Sequence, residues 1–190
     1  MSAAYFQDEQ YDSQPLTDKK FPVGEYDACR FNLCDFSGID LAGAEFSDCI
    51  FKGSNLSLVK LNKTSFNNTR FIDCKITGVD FSVCNEFVFT VSFTKCILNY
   101  SSFYQRMMKK TSFKDCSMQD CDFTSADLTA SLFENCDLMN AHFENTLLEK
   151  ADLKTSFNYS IDPEKNKIRK AQFSMPGLTG LLDKYGIIIR

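Results

Sequence analysis

Between Thr111 and Leu153 large apolar residues recur every five positions without a gap: Phe113, Met118, Phe123, Leu128, Phe133, Leu138, Phe143, Leu148 and Leu153. Two places before each stands a small side chain: Thr111, Cys116, Cys121, Ala126, Ser131, Cys136, Ala141, Thr146 and Ala151. A helix needs apolar residues three and four apart and a strand needs them two apart, so an unbroken period of five fits neither element. It fits a repeat architecture, in which each short unit buries its apolar face only against its neighbours. Each unit supplies one side of a roughly square coil. The large residue and the small one before it point inward, and Lys114, Asp115, Ser117, Gln119, Asp120 and Asp122 face water.

Ala126-Asp127-Leu128, Cys121-Asp122-Phe123, Cys136-Asp137-Leu138 and Ala151-Asp152-Leu153 carry a small residue, then Asp, then Leu or Phe. In these units the chain resembles the pentapeptide-repeat family. The resemblance implies an all-β protein, a right-handed quadrilateral β-helix with about twenty residues per coil.

An earlier series runs in one phase from Phe21 or Tyr26 through Phe31, Phe36, Leu41, Phe46, Phe51, Leu56, Leu61, Phe66, Phe71, Ile76 and Phe81. The next clean series, Phe93, Leu98 and Phe103, extrapolates back to Val88. Seven residues separate Phe81 from Val88, so two extra residues must be absorbed near Cys84-Asn85-Glu86-Phe87, with Phe87 or Phe89 turned outward or used as a plug. Similar breaks in gyrase-directed relatives make Glu86 and Phe87 candidate partner contacts, against the alternative of an insertion tolerated at a corner. Arg106 is a second irregularity. It falls in a small inward slot, where an unpaired charge is costly, so either the ribbon bulges there or Arg106 reaches past the corner to form, with Lys109 and Lys110, a basic cluster that is a candidate partner contact, against the alternative of a merely solvated face.

The expected organisation is a polar lead-in or cap over 1–20, in which Tyr5, Phe6, Tyr11 and Leu16 could cover the first coil, a first β-helical segment over 21–84, the break at 85–90, a second segment over 91–160 and a terminal element over 161–190. In that last element Ser174 reads as an N-cap and Pro176 as an early helical residue. Leu178, Leu181, Leu182 and Tyr185 follow at helical spacing, Gly186 ends the short α-helix, and Ile187, Ile188 and Ile189 form a strand. These seven apolar residues are the expected homodimer interface, as the tail of gyrase-directed relatives implies; a monomeric cap is the alternative.

All nine cysteines fall in the small slot, where a free thiol packs as a compact apolar group. Cys29-x4-Cys34 and Cys116-x4-Cys121 lie on adjacent sides and lack a nearby His, so no metal site is expected. No apolar run approaches the ~20 residues of a membrane helix, and Met1 to Lys20 lacks a basic region followed by an apolar one. The odd thiol count suits a reducing compartment, and a soluble cytoplasmic chain is expected. The single histidine, His142, has an outward phase and no partner implied by spacing, and Gly38, Gly43, Gly53 and Gly78 form no phosphate loop. No catalytic site and no cofactor are expected.

Charge limits the partners. Residues 21–153 hold 18 acidic and 12 basic side chains, so direct nucleic-acid binding is not expected. The resemblance implies a DNA-mimicking modulator of DNA gyrase or topoisomerase IV that protects the enzyme from its poisons. A rod of this length, about 32 Å, faces B-DNA carrying roughly 19 charges, about three times its own net charge. Mimicry therefore requires one face to collect Asp35, Asp115, Asp120, Asp122, Asp127, Asp137 and Asp152. The other reading is a general protein-interaction scaffold.

Overall fold

The computed structural model describes residues 4–13 and 21–188. The chain winds into a parallel solenoid. Ten short strands lie in register, β1 (Ala4–Gln7), β2 (Gln10–Asp12), β3 (Gly24–Asp27), β4 (Arg30–Asn32), β5 (Glu45–Ser47), β6 (Ile50–Lys52), β7 (Ser65–Ile72), β8 (Phe89–Thr94), β9 (Ser112–Lys114) and β10 (Leu132–Glu134). β1, β3 and β5 stack on one side, and β2, β4 and β6 on the next. Both stacks run into the long β7, which turns the corner between them. The remaining sides pair by single parallel bridges such as Asp35↔Asn55 and Asp122↔His142. Partners are twenty residues apart, so four fives close one coil.

Two residues per side fill the interior. The rings form ladders one coil apart: Phe31 stacks on Phe51 at 4.6 Å, Phe51 on Phe71 at 5.1 Å, Phe71 on Phe93 at 5.2 Å and Phe93 on Phe113 at 5.4 Å. Rings on neighbouring sides meet edge to face, as Phe93 and Phe103 do at 73°. Both are favoured aromatic arrangements. The small slot has a polar task as well. Its hydroxyl or thiol donates to a carbonyl of the coil before: Thr64 Oγ1 to Leu41 O at 2.8 Å, Ser131 Oγ to Met108 O at 2.8 Å and Cys49 Sγ to Tyr26 O at 3.3 Å. Ser, Thr and Cys thus pack and satisfy an inner carbonyl at once.

The corners explain the rest of the motif. Ile39 N–H donates to Phe36 O at 3.0 Å with Gly38 at φ 67°, a turn that wants a left-handed residue in its third place. Asp, Asn and Lys hold the equivalent place elsewhere, and even Leu33 and Leu58 do, at φ 54° and 56°. The Asp before the large residue caps the corner, since Asp122 Oδ1 accepts from Thr124 N–H at 2.9 Å and Asp127 Oδ1 from Thr129 N–H at 3.1 Å. Such Asx-turns are what short carboxylates do well.

Three expectations are corrected. The ladder begins in residues 4–13, where Phe6 stacks on Tyr26 at 4.7 Å and Tyr11 on Phe31 at 4.9 Å. Phe6 and Tyr11 thus cover the first coil as expected, but as a coil in register with it, so the series starts before Phe21; Leu16 lies outside the described residues. The ladder also outlasts Leu153, through Leu147↔Lys167 and Asp152↔Gln172, because Ser156 and Asn166 keep the small slot while the large one turns polar at Asn158. Asn166 replaces the usual hydroxyl by donating from Nδ2 to Phe143 O at 2.9 Å. Finally, no α-helix follows Ser174. Pro176–Leu181 and Asp183–Tyr185 are 3-10 turns, and Ile187 and Ile188 form no strand. Gly177 and Gly180 let this stretch lie so close over Tyr159 that a Cβ at either would collide with it, and this contact sets the path in place of helical periodicity. Gly186, at φ 59°, does end it.

Phe103 is fully buried, 4.8 Å from Phe81 and 5.2 Å from Phe123. Phe103→Ala will cost about 3–5 kcal/mol in chemical denaturation, whereas the equally apolar but exposed Leu58→Ala will stay within about 0.5 kcal/mol.

Candidate interaction site at the register break

Asn85 N–H still bonds Thr64 O as Asn55 N–H bonds Cys34 O, so the ladder holds to Asn85, although Lys63 N–H takes Val83 O, one residue beyond the place that Thr77 O fills for Leu58 N–H. It resumes with Phe66↔Phe89 and then Thr69↔Val91, twenty-two residues apart, after a shift between them. Three residues are therefore gained by Phe89 and one is given back at the shift before Val91, a net gain of two. Farther along the same coil the offset persists in Lys75↔Ile97 and Asp80↔Ser102, and it returns to twenty at Ile97↔Ser117.

The extrapolated Val88 does not enter the core; Phe89 does. Its ring meets Phe66 at 80° and Phe81 at 66°, so the stack of parallel rings on this side stops here. The vacated carbonyls are met from inside. Arg106, one coil later in the small slot, is only 4% exposed. Its Nη1 donates to Cys84 O at 3.0 Å and its Nη2 to Asn85 O at 2.7 Å, and its guanidinium carbon lies 4.3 Å from the Phe89 ring centroid. The regular ladder would give Cys84 O a backbone donor, as Ser102 N–H serves Val79 O. The break removes that arrangement, and the arginine replaces it.

Neither alternative expected for Arg106 holds: it neither bulges the ribbon nor passes the corner. Burial lowers its pKa from the ordinary value, and Cys84 and Glu86 act against that. The basic cluster dissolves accordingly, since Arg106 is internal and Lys109 pairs with Asp127 at 3.3 Å. As a core residue Arg106 is no surface contact. The two sequence irregularities are one structural unit, which spacing alone does not reveal.

Outside the ring Phe87 projects into solvent, 87% exposed, beside exposed Glu86. Its N–H is fixed by Asn85 Oδ1 at 3.0 Å, another Asx-turn. The loop rejoins the ladder through Phe66 N–H to Val88 O at 3.1 Å, and Ser65, at a position that faces out in the regular coils, is buried.

The candidate aspartates do not gather. Asp35 and Asp137 share one face, in the row Asp35, Asn55, Lys75, Ile97, Ser117, Asp137. Asp122 lies on the next, behind Asp80 and Ser102, Asp127 on the third behind Met107, and Asp152 on the fourth behind Leu132. Asp115 and Asp120 occupy left-handed corners at φ 53° and 55°. Several are already engaged: Asp137 accepts from Gln119 Nε2 at 2.6 Å, Asp115 from Asn135 Nδ2 at 3.1 Å, and Asp152 pairs with Lys154 at 3.0 Å. The hydroxyl and N–H of Ser37, then Asn55, hold Asp35 below its ordinary carboxyl pKa. No single acidic face results.

At the C-terminal end Leu181 packs on the core and Leu182 is half-buried, while Leu178, Tyr185, Ile187 and Ile188 are exposed. Ile189 lies outside the described residues. Ile161 N–H to Gly180 O at 2.9 Å and Lys184 bridging Asp162 and Glu164, each at 2.7 Å, fasten the stretch.

His142 is exposed and its side chain makes no hydrogen bond among the described residues. Burial holds the Cys49, Cys84 and Cys121 thiols up at about 12, so in the metal-free chain they stay protonated. Among the described residues no helix is long and apolar enough to cross a membrane.

The pentapeptide repeat region is matched over residues 25–86 and 88–158, more than half of the chain, so the protein belongs to the pentapeptide-repeat family. The match parts at Phe87, the outermost residue of the break. The solenoid is similar in shape to QnrB1, a plasmid-mediated fluoroquinolone resistance protein, at 17% identity and a TM-score of 0.57 over 97% of this chain and 100% of that one. It is also similar to HetL, a pentapeptide repeat protein involved in heterocyst differentiation regulation from the cyanobacterium Nostoc, at 12% identity and 0.59 over 92% and 86%. At these identities the likeness is one of fold. No curated protein sequence matches.

Arg106→Met keeps the stem and removes the donors, leaving the Cys84 and Asn85 carbonyls unmet at a cost of about 1–3 kcal/mol. Hydrogen exchange at the Phe66 and Phe87 amides will quicken at least about tenfold, the counterpart of 1.4 kcal/mol, while the Phe133 amide keeps its protection. At the other end the Lys184 hydrogen bond, then the Glu164 N–H, holds Asp162 below the ordinary carboxyl value of 3.8. A depressed carboxyl stabilises above its unfolded pKa and loses that contribution as pH falls through the folded one. Ile161 amide exchange, corrected for its intrinsic rate, will accordingly rise between pH 5 and pH 2, and Asp162→Asn will flatten the dependence.

Proposed function

We propose that the protein is a non-enzymatic interaction module that engages a protein partner through the break loop. The observation that carries this is the pairing of an 87% exposed Phe87 with a 4% exposed Arg106 that supports its loop from the core. A buried, hydrogen-bonded arginine is a large commitment for an idle insertion, and one exposed aromatic on a rigid base is the usual form of a binding anchor.

DNA gyrase or topoisomerase IV is the first partner to test. The solenoid's likeness in shape to a fluoroquinolone resistance protein supports this choice. The scattered aspartates favour engagement through the loop over mimicry of DNA by one acidic face. A scaffold for a different partner is the second reading, favoured by the equal likeness to a protein of heterocyst regulation. The exposed Leu178, Ile187 and Ile188 would join two copies end to end as a homodimer.

Light scattering after size exclusion will give twice the chain mass of 21.6 kDa, and Ile187→Asp will return it to the monomer. In a supercoiling assay with a fluoroquinolone present, added protein will restore gyrase turnover, and Phe87→Ser will weaken the effect at least about tenfold. A folded dimer without effect on either topoisomerase moves the partner to the second reading.

A further inference from the structure

The cysteines do more than fill gaps. Lys75↔Ile97, Ile97↔Ser117 and Ser117↔Asp137 pair in register, so Cys74, Cys96, Cys116 and Cys136, one residue before each, lie directly above one another. Arg30↔Ile50 does the same for Cys29 and Cys49. The thiols are oriented alike. Cys74, Cys96 and Cys136 each donate to the carbonyl two residues back and to one on the coil before, at 3.3 to 3.5 Å, Cys116 points to Lys114 O, and Cys29 and Cys49 repeat the pattern. All six are buried.

A parallel ladder separates such sulfurs by ~4.8 Å. Two metal–thiolate bonds of ~2.3 Å laid end to end span ~4.6 Å. An ion between stacked sulfurs thus fits without expanding the coil. Stacked Cβ atoms about 4.8 Å apart exceed the ~3.5–4.5 Å of a disulfide, so oxidation is the less suited reaction. No three ligating side chains converge among the described residues, which leaves nothing for tetrahedral zinc. We infer that the stacked thiols are sites for soft cations that take two sulfur ligands in line, two sites in the run of four and one at Cys29 and Cys49.

Charge balance favours a divalent ion of this class. Two thiols and one mercuric ion give a bis-thiolate and two protons released to solvent, so the apolar core gains no net charge. Cys84 has Thr64 and Arg106 as its stack neighbours and Cys121 has Ser101 and Ala141, so neither can chelate in this way.

The test is native mass spectrometry of the folded, reduced chain incubated overnight with mercuric chloride. A water-soluble monothiol strips single-sulfur adducts, and the thiolate-to-metal absorption is read in parallel. Serine already fills this slot at Ser54, Ser101, Ser131 and Ser156, so Cys→Ser variants will fold, which circular dichroism checks. The expected retention is three ions for the native chain, two for Cys96→Ser, one for the Cys96→Ser/Cys116→Ser double variant and three for Cys121→Ser. No retention by the folded native chain, or the same number in the double variant as in the native chain, overturns the inference.

Discussion

A parallel coil of four sides leaves only two inward directions per side, and every inner carbonyl must still find a donor. That joint demand governs the structure. The large residue supplies apolar area and ring contact with the coils above and below. The small residue must be short enough to share the interior, and Ser, Thr or Cys there meets a carbonyl as well. The carboxylate between them is spent on the corner. A motif that looks like a hydrophobicity pattern is thus a hydrogen-bond pattern written in the same five residues.

The break shows the rule by its exception. Two added residues lift a segment off the ladder, and the carbonyls of Cys84 and Asn85 lose regular service. A hydroxyl in the small slot of the next coil could reach one of them at most. Arginine reaches both and sets its guanidinium carbon over the ring of Phe89, which has entered the core in place of Val88. The charge costs desolvation, and two hydrogen bonds and the ring contact offset part of that cost, with Nε left without a partner among the described residues. The outward result is a loop fixed at its base, with Phe87 held by Asn85.

Much of this was legible in the sequence. The period of five carried the fold, the inward placement of all nine cysteines and the count of two extra residues near Glu86. It could not carry the choice between Val88 and Phe89, because spacing records how many residues are gained and not which ring fills the gap. Nor could it join Arg106 to the break, since the pair is 22 residues apart in a chain whose regular partners are 20 apart, and the offset had to be resolved first. The tail misled for a different reason. Leu178, Leu181, Leu182 and Tyr185 have helical spacing, but Gly177 and Gly180 answer to the surface of Tyr159, a contact that no local pattern encodes.

The faces of the solenoid bear on function through the same geometry. Motif aspartates recur every five residues, so successive ones fall on successive sides, and a chain rich in them becomes acidic all round. Gathering negative charge on one face would take aspartates at intervals of twenty, and the rows here mix instead: Asp35, Asn55, Lys75, Ile97, Ser117 and Asp137 on one side. The repeat therefore tends to spread charge, and a distinctive surface has to arise where the repeat is interrupted or ends. In this chain those places are the loop at Phe87 and the apolar end around Ile187 and Ile188, and recognition by shape and aromatic contact is the form of binding that such places can offer.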